Sequence, residues 1–319
     1  MSTYPFQLLQ QNHVDGETIK QMLLSRPQAE VDRSFASDAR RFVPGEPLET
    51  AINTAIAVGE PLLVTGEPGT GKTQAAYYAA YKLGLEPVIH FQVKSDSSAR
   101  DLLYHFDTVR YFYDANLQRL QSEGNGAAVE LHKEKYIEKR PLWQAFDLAE
   151  ERGTPAVLLI DEIDKAPRDF PNDLLHELDK MEFKVPEINE IIAAPRNLAP
   201  IVFITSNSER RLPEPFLRRC VYHHIRFDDQ LIEQAVQSRR DEYQTLSDGF
   251  LEMAIKRFLA LRERNLRKQP ATGELLVWLR VLALAVDTVP ERLEEDLSKL
   301  PYLGVLLKDH QDQEELARR

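Results

Sequence analysis

The sequence predicts a three-layer α/β sandwich built on a five-stranded parallel sheet, followed by a smaller all-helical domain. Three observations carry that prediction. Five short β-rich apolar runs recur at wide intervals with helical patterns between them, the alternation that builds a parallel sheet with helices on both faces. Two of the runs, "AVLLID" and "IVFITSN", are apolar nearly throughout, as strands covered on both faces must be. Past about Asp229 the β signal stops and only helical periodicity continues. The chain has 319 residues, enough for one large domain and one small one with a sizeable core.

Residues 1–45 are mixed and polar and end in the turn-prone "RFVPGEP". Apolar positions at helical spacing predict a helix from about Leu48 to Val58. The first strand, "PLLVTG" (61–66), leads through a glycine-rich loop into a helix over 72–84. The second, "PVIHFQV" (87–93), is followed by "RDLLYHFDTVRYFYDANLQRL", which reads as helical, and by "QSEGNGAAVELHKEKYIEKRP", which reads as an exposed insertion. A helix over 141–152 precedes "AVLLID" (156–161), and a helix over 171–181 follows it. "IVFITSN" (201–207) and "HHIRF" (223–227) complete the sheet. Beyond the boundary, "DGFLEMAIKRFLALRER" sets Phe250, Leu251, Ala254, Ile255, Phe258 and Leu261 on one helix face, and "GELLVWLRVLALAV" and "LPYLGVLLKDH" continue alike. The expected division is an extension over 1–40, an α/β domain over 41–228 and a helical domain over 229–319.

Composition narrows the setting. Fifty-one acidic against 40 basic residues leave a formal charge of −11, which argues against broad, unspecific binding to nucleic acid or an anionic membrane. Cys220 is the single cysteine, so an intrachain disulfide is impossible and a reducing, cytoplasmic compartment is expected. The first residues, "MSTYPFQLLQQNHVDG", lack the basic start and long apolar run of a signal peptide. No apolar run approaches the ~18–20 residues of a membrane span.

The chemistry is concentrated in four stretches. In "LLVTGEPGTGKT", Gly66, Gly71, Lys72 and Thr73 fit the spacing of a phosphate-binding loop, in the strand–loop–helix context such a loop requires. Gly66, Gly69 and Gly71 let backbone N–H groups turn toward an anion at a helix N-terminus. Lys72 would reach the β- and γ-phosphates, and the Thr73 hydroxyl would coordinate Mg²⁺. "VLLIDEIDKA" ends an apolar strand in two adjacent carboxylates: Asp161 would hold a water of the Mg²⁺ shell, and Glu162 would polarise an attacking water as general base. Taken alone, the pair has a lesser reading as an acidic helix start. Asn207 at the tip of "IVFITSN" can orient that water, and by itself is also an ordinary Asx turn. "ERRLPEPFLRRC" puts Arg218 and Arg219 after a short helix, either as solvated surface charges or as an arginine finger acting in a neighbouring subunit.

These stretches, in this order and with the helical C-terminal part, resemble an AAA+ ATPase of the MoxR-like branch over about residues 40–310. The resemblance is strongest in "GEPGTGKT", "LLIDEIDKAPRDFPNDLLHELDKMEFKVPE", "IVFITSNSERRLPEPFLRRC" and "ATGELLVWLRVLALA". It implies that Gly66, Pro68, Gly69, Thr70, Gly71, Lys72 and Thr73 form the Walker A loop, Asp161 and Glu162 the Walker B pair, and Asn207 sensor 1. Arg219 matches the finger position best, with Arg218 beside it. The family's fold implies the strand order 5-1-4-3-2, a helical lid and a ring, usually hexameric. Residues 182–200 resemble the hairpin this clade places near its central pore, and 97–114 resemble its insertion in the second helix. The chain departs from the family at Gly273, which stands where a sensor 2 arginine is usual; Arg280 lies two helical turns on.

The resemblance implies Mg²⁺-dependent ATP hydrolysis that remodels a protein partner, one with a von Willebrand-type domain. A motor acting on nucleic acid is disfavoured by the acidic balance and the lack of an aromatic-basic stripe. A small-molecule kinase is disfavoured by Glu162, Asn207 and the lid. A nucleotide-gated binding module with little turnover stays open because of Gly273. No N-K-x-D element for guanine is present, which leaves ATP as the nucleotide. His223 and His224 are adjacent on a strand, point to opposite faces and make a poor metal site.

Overall fold

The computed structural model describes residues 16–25, 35–125, 132–285 and 293–318. The N-terminal stretch read for a signal peptide lies outside the described residues except for Gly16, as does the middle of the insertion, 126–131. Two compact units result, one from the described parts of Met1–Gly45, Glu67–Gln74 and Arg226–Arg319, the other from Glu46–Gly66 and Ala75–Ile225.

The second unit holds the predicted parallel sheet: β1 (Leu62–Gly66), β2 (Val88–Gln92), β3 (Val157–Asp161), β4 (Ile201–Ser206) and β5 (Val221–Ile225). Their spatial order is β2-β3-β4-β1-β5, which read from the other edge is the expected 5-1-4-3-2. All pairings are parallel. Register sets Gln92 beside Asp161 and Thr65 beside Ser206, so the carboxyl ends of the strands share one edge, where open α/β sheets bind their ligands. Every residue of β1 and β3 is buried, which explains their unbroken apolar sequences. The final strand begins two residues earlier than "HHIRF" implied and pairs only with β1.

Helix α1 (Glu46–Val58) buries Leu48, Ile52 and Ala55. Helix α2 (Lys72–Leu83) follows the glycine-rich loop. Helix α3 (Pro141–Arg152) begins with a proline at its first position, where the missing N–H costs nothing, and ends at Gly153 in the left-handed region (φ 66). It drives Leu142, Trp143, Ala145, Phe146 and Ala149 into the core.

Two stretches depart from the sequence reading. The segment read as one helix from Arg100 divides into a turn of helix at Arg100–Leu103, a short strand at Tyr104–Phe106 and a helix at Thr108–Asn125. The strand pairs with Ile137–Lys139, inside the supposed exposed insertion. Buried Tyr104 and Tyr136, with Phe106 and Tyr111 packed on the Tyr136 ring, anchor a ribbon whose other residues stay partly or fully exposed, a tertiary effect that local periodicity does not carry. The helix read over 171–181 breaks at Leu174 into Phe170–Asp173 and Leu175–Lys180. Residues 182–200 contain an antiparallel hairpin, Glu182–Val185 against Glu190–Ala193. Tyr104 stacks on its Phe183 at 6.3 Å and donates to Glu187 at 2.8 Å, so the two insertions read from the sequence pack on each other.

The first unit is helical after Ile225. Helices α4 (Asp229–Gln237), α5 (Asp248–Arg262) and α6 (Thr272–Leu284) enclose a core of Tyr243, Phe258, Leu275, Trp278 and Leu282. Ser247 caps α5 by accepting from Phe250 N at 3.2 Å. The Trp278 indole, fully buried, donates to the Pro301 carbonyl at 2.7 Å, which satisfies its one polar atom.

Candidate active site

The glycine-rich loop leaves the end of β1 at Gly66, and its residues Glu67–Gln74 belong to the helical unit. Gly69 (φ 78) and Gly71 (φ 91) occupy a region side chains avoid. A Cβ on Gly71 would stand 2.5 Å from the Phe42 ring, and one on Gly69 3.1 Å from the Ala271 Cβ. Both conformation and space therefore demand glycine there, leaving a bare-backbone cradle at the N-terminus of α2. The Glu67 carbonyl accepts from the buried Lys72 ammonium at 2.9 Å and from Thr70 Oγ1 at 2.8 Å. A buried lysine keeps its charge only with acceptors around it. Backbone N–H groups, a lysine and the Thr73 hydroxyl form a donor set suited to a phosphate and its Mg²⁺.

Helical elements of the same unit hold this loop. Gly273 N donates to the Gly69 carbonyl at 3.3 Å. Arg262 pairs with Glu67 at 3.1 Å, donates to the Pro270 carbonyl and stacks over Phe227 at 3.5 Å. Gly273 thus meets the loop through its backbone. Arg280 turns elsewhere, bonding Glu242 at 2.9 and 3.2 Å. Glu242 also takes Arg41 and Arg239, which makes Arg280 part of an ionic network.

The carboxylates lie in the sheet unit. Asp161 is 4% exposed. Its Oδ1 accepts from Thr205 Oγ1, and its Oδ2 lies 3.2 Å from His90 Nε2. Thr205 in turn accepts from Glu162 N at 2.8 Å, so one buried hydroxyl ties together both members of the pair. Glu162 sits in the left-handed region (φ 60, ψ 50), a conformation a non-glycine residue holds only where its surroundings enforce it. Its carboxylate accepts from Asn207 Nδ2 at 3.1 Å, from Gln92 Nε2 at 2.7 Å and from Lys165 Nζ. Asp164, 3% exposed, fixes the loop carrying Asn207 by accepting from Asn207 N at 3.3 Å and Glu209 N at 2.9 Å. Glu162 and Asn207, 45 positions apart in sequence, converge here beside Asp161. A carboxylate steadied by an amide in this way can serve as a general base.

Sequence reasoning missed Thr205, His90, Gln92, Lys165 and Asp164. Thr205 carried a readable signal, a hydroxyl in an otherwise apolar buried strand, two residues before Asn207. His90 and Gln92 sit at alternate positions of β2 and so share one face. The arginines stand apart from this cluster. Arg219 Nε donates to Asp179 at 2.6 Å and its NH1 to the Pro215 carbonyl at 3.0 Å. Arg218 pairs with Glu214 one turn back at 2.8 Å, largely in solvent. Burial pushes the Cys220 thiol up to about 12, so it is no nucleophile. Among the described residues no grouping of His, Cys, Asp and Glu could by itself hold a metal ion, and no helix is long and apolar enough to cross a membrane.

A parallel sheet in this order, a glycine cradle after its first strand and paired carboxylates after its third define a P-loop nucleoside triphosphatase fold. Residues 61–220, half the chain, match the family model "AAA domain (dynein-related subfamily)", and the chain belongs to that family. No curated protein matches it. Among solved structures it is similar to a "putative ATPase" of Cytophaga hutchinsonii at 15% identity and TM-score 0.39, over 89% of this chain and 92% of that one.

Proposed function

We propose that this chain hydrolyses ATP with Mg²⁺ and uses the energy to remodel a protein partner, as a MoxR-like member of its family working in a ring. The observation that carries the reading is the Glu162 carboxylate, held by the Asn207 amide at 3.1 Å beside a buried Asp161. A phosphate-holding loop alone would serve a kinase equally well; a directed glutamate serves water attack. In this reading Gly66, Pro68, Gly69, Thr70, Gly71 and Lys72 bind the phosphates, Thr73 binds Mg²⁺, and Asp161 takes a water of its shell. When bound, Mg²⁺ supplies charge neutralisation at the β- and γ-oxygens. Arg219, and less directly Arg218, serves a neighbouring subunit's nucleotide. The domains are those read from the sequence, with 229–319 as the lid, and the partner carries a von Willebrand-type domain.

Lys72→Ala is expected to abolish binding of a fluorescent ATP analogue and the Mg²⁺-dependent release of phosphate that the unaltered chain shows. Normal affinity in that variant would overturn the loop assignment. Mixing Arg219→Ala with Lys72→Ala protein is expected to restore part of the activity, because each supplies the other's missing half; a mixture as inactive as its components would refute action in trans. A second reading, a nucleotide-gated module with little turnover, draws on Gly273 in place of a lid arginine. Phosphate release below one turnover per chain by the unaltered protein would favour it.

A further inference from the structure

Asp161 lies almost wholly out of solvent, and its two oxygens are addressed from two neighbouring strands. Thr205 on β4 serves Oδ1 and His90 on β2 serves Oδ2 at 3.2 Å. Behind His90 stands Tyr77 of α2, its hydroxyl 3.1 Å from Nδ1 and its ring edge-on at 6.0 Å. Burial and the Asp161 charge both raise the Tyr77 pKa, so the phenol keeps its proton and can donate. An ionised carboxylate only accepts. Its partner nitrogen is then Nε2–H, and in the neutral ring Nδ1 accepts from the tyrosine. The chain of donors runs one way, from Tyr77 to His90 to Asp161.

We propose that His90, set in its tautomer by Tyr77, is a positioning residue that orients the Asp161 carboxylate toward the hydrated Mg²⁺ of the nucleotide. The inference rests on the hydrolase reading above. Two donors on two oxygens fix the plane of the carboxylate. The arrangement matches the partner groups that orient metal-binding side chains and that cost about 10–100-fold in metal affinity when lost. Because Asp161 acts through water, the effect expected here is at the lower end of that range. Gln92, two residues along the same face of β2, holds Glu162 in the same manner at 2.7 Å, so β2 serves both carboxylates.

The test is a Mg²⁺ titration of the binding of a fluorescent, non-hydrolysable ATP analogue to the whole chain, with thermal melting in its absence. His90→Leu removes the donor, His90→Gln keeps an N–H at comparable reach, and Tyr77→Phe removes only the hydroxyl. His90→Leu is expected to raise the half-saturating Mg²⁺ about tenfold and leave Mg²⁺-free binding within twofold. His90→Gln should stay within about threefold of the unaltered chain, with Tyr77→Phe between the two. If His90→Leu does not fold, the His90→Gln and Tyr77→Phe pair decides, together with the ¹⁵N shifts of His90, which should report the Nε2–H form. An unchanged Mg²⁺ midpoint in His90→Leu, a loss in His90→Gln as large as in His90→Leu, or an Nδ1–H tautomer overturns the proposal. An unaltered chain that binds no analogue at any Mg²⁺ concentration overturns the hydrolase reading instead.

Discussion

Replacing Thr205 with valine separates the roles of shape and hydroxyl at the centre of the site. Valine keeps the volume and the β-branch, so the buried strand still packs, but both hydrogen bonds of Oγ1 disappear. Thr205 is 1% exposed, and no solvent can replace them. The donor to the Asp161 carboxylate is a bond to a charged group, worth about 1.5–3 kcal/mol, and the stranded Glu162 N–H costs about 1–3 kcal/mol. Together they put the loss at roughly 4 kcal/mol, near a thousandfold in the folding equilibrium. Thr205→Ser retains the hydroxyl and deletes one methyl, at about 0.8 kcal/mol plus a small cavity cost. Urea denaturation at pH 7 measures both, read as a shift in midpoint at unchanged slope. Glu162, held in its left-handed conformation through this bond, should also lose activity in the valine variant and keep it in the serine variant. A valine variant as stable as the serine variant would refute the bridging role of Thr205.

Gly71→Ala is expected to be the most damaging single-methyl change in the loop, since its Cβ would meet the Phe42 ring at 2.5 Å while φ stays at 91°. Phe42→Ala should recover part of the lost stability by opening the space, and no recovery would show that conformation alone matters. Burial first, and then hydrogen bonds to Glu49 and Glu187, push the Tyr78 and Tyr104 phenols up to about 12. Raised folded values mean that their contribution to stability is complete below the ordinary pKa near 10 and is lost as pH climbs through 12. Absorbance titration at the phenolate band should show at least two late-ionising tyrosines, one fewer in Tyr104→Phe. Native-state titration of every phenol near 10 would contradict the assignment.

Much of this was readable before the fold was known, because the signals were local. The five strands announced themselves as short β-rich runs at wide intervals, two of them apolar nearly throughout, and the loop through glycines at the spacing of a phosphate cradle. Glu162 and Asn207 were recognisable as polar residues at the ends of apolar strands, although the hydrogen bond between them spans two strands and cannot be read from spacing. What stayed hidden depends on tertiary partners. The strand at Tyr104–Phe106 pairs with Ile137–Lys139, well downstream in the chain, a partner that local helical periodicity does not reveal. His90 looks like any half-buried strand histidine until register sets β2 against β3. The salt bridge of Arg219 to Asp179, 40 residues upstream, likewise leaves no mark in the pattern around either residue.

If Glu162 drives water onto a bound nucleotide, Glu162→Gln separates turnover from binding. The variant keeps the volume and a hydrogen-bonding oxygen for Asn207, so folding and nucleotide binding should survive. Analogue affinity and phosphate release, measured on the same preparation with Mg²⁺, should show binding within a few-fold of the unaltered chain and turnover at least ~10²-fold slower, the size of a lost general base. Turnover undiminished in Glu162→Gln, at full nucleotide binding, would contradict the account.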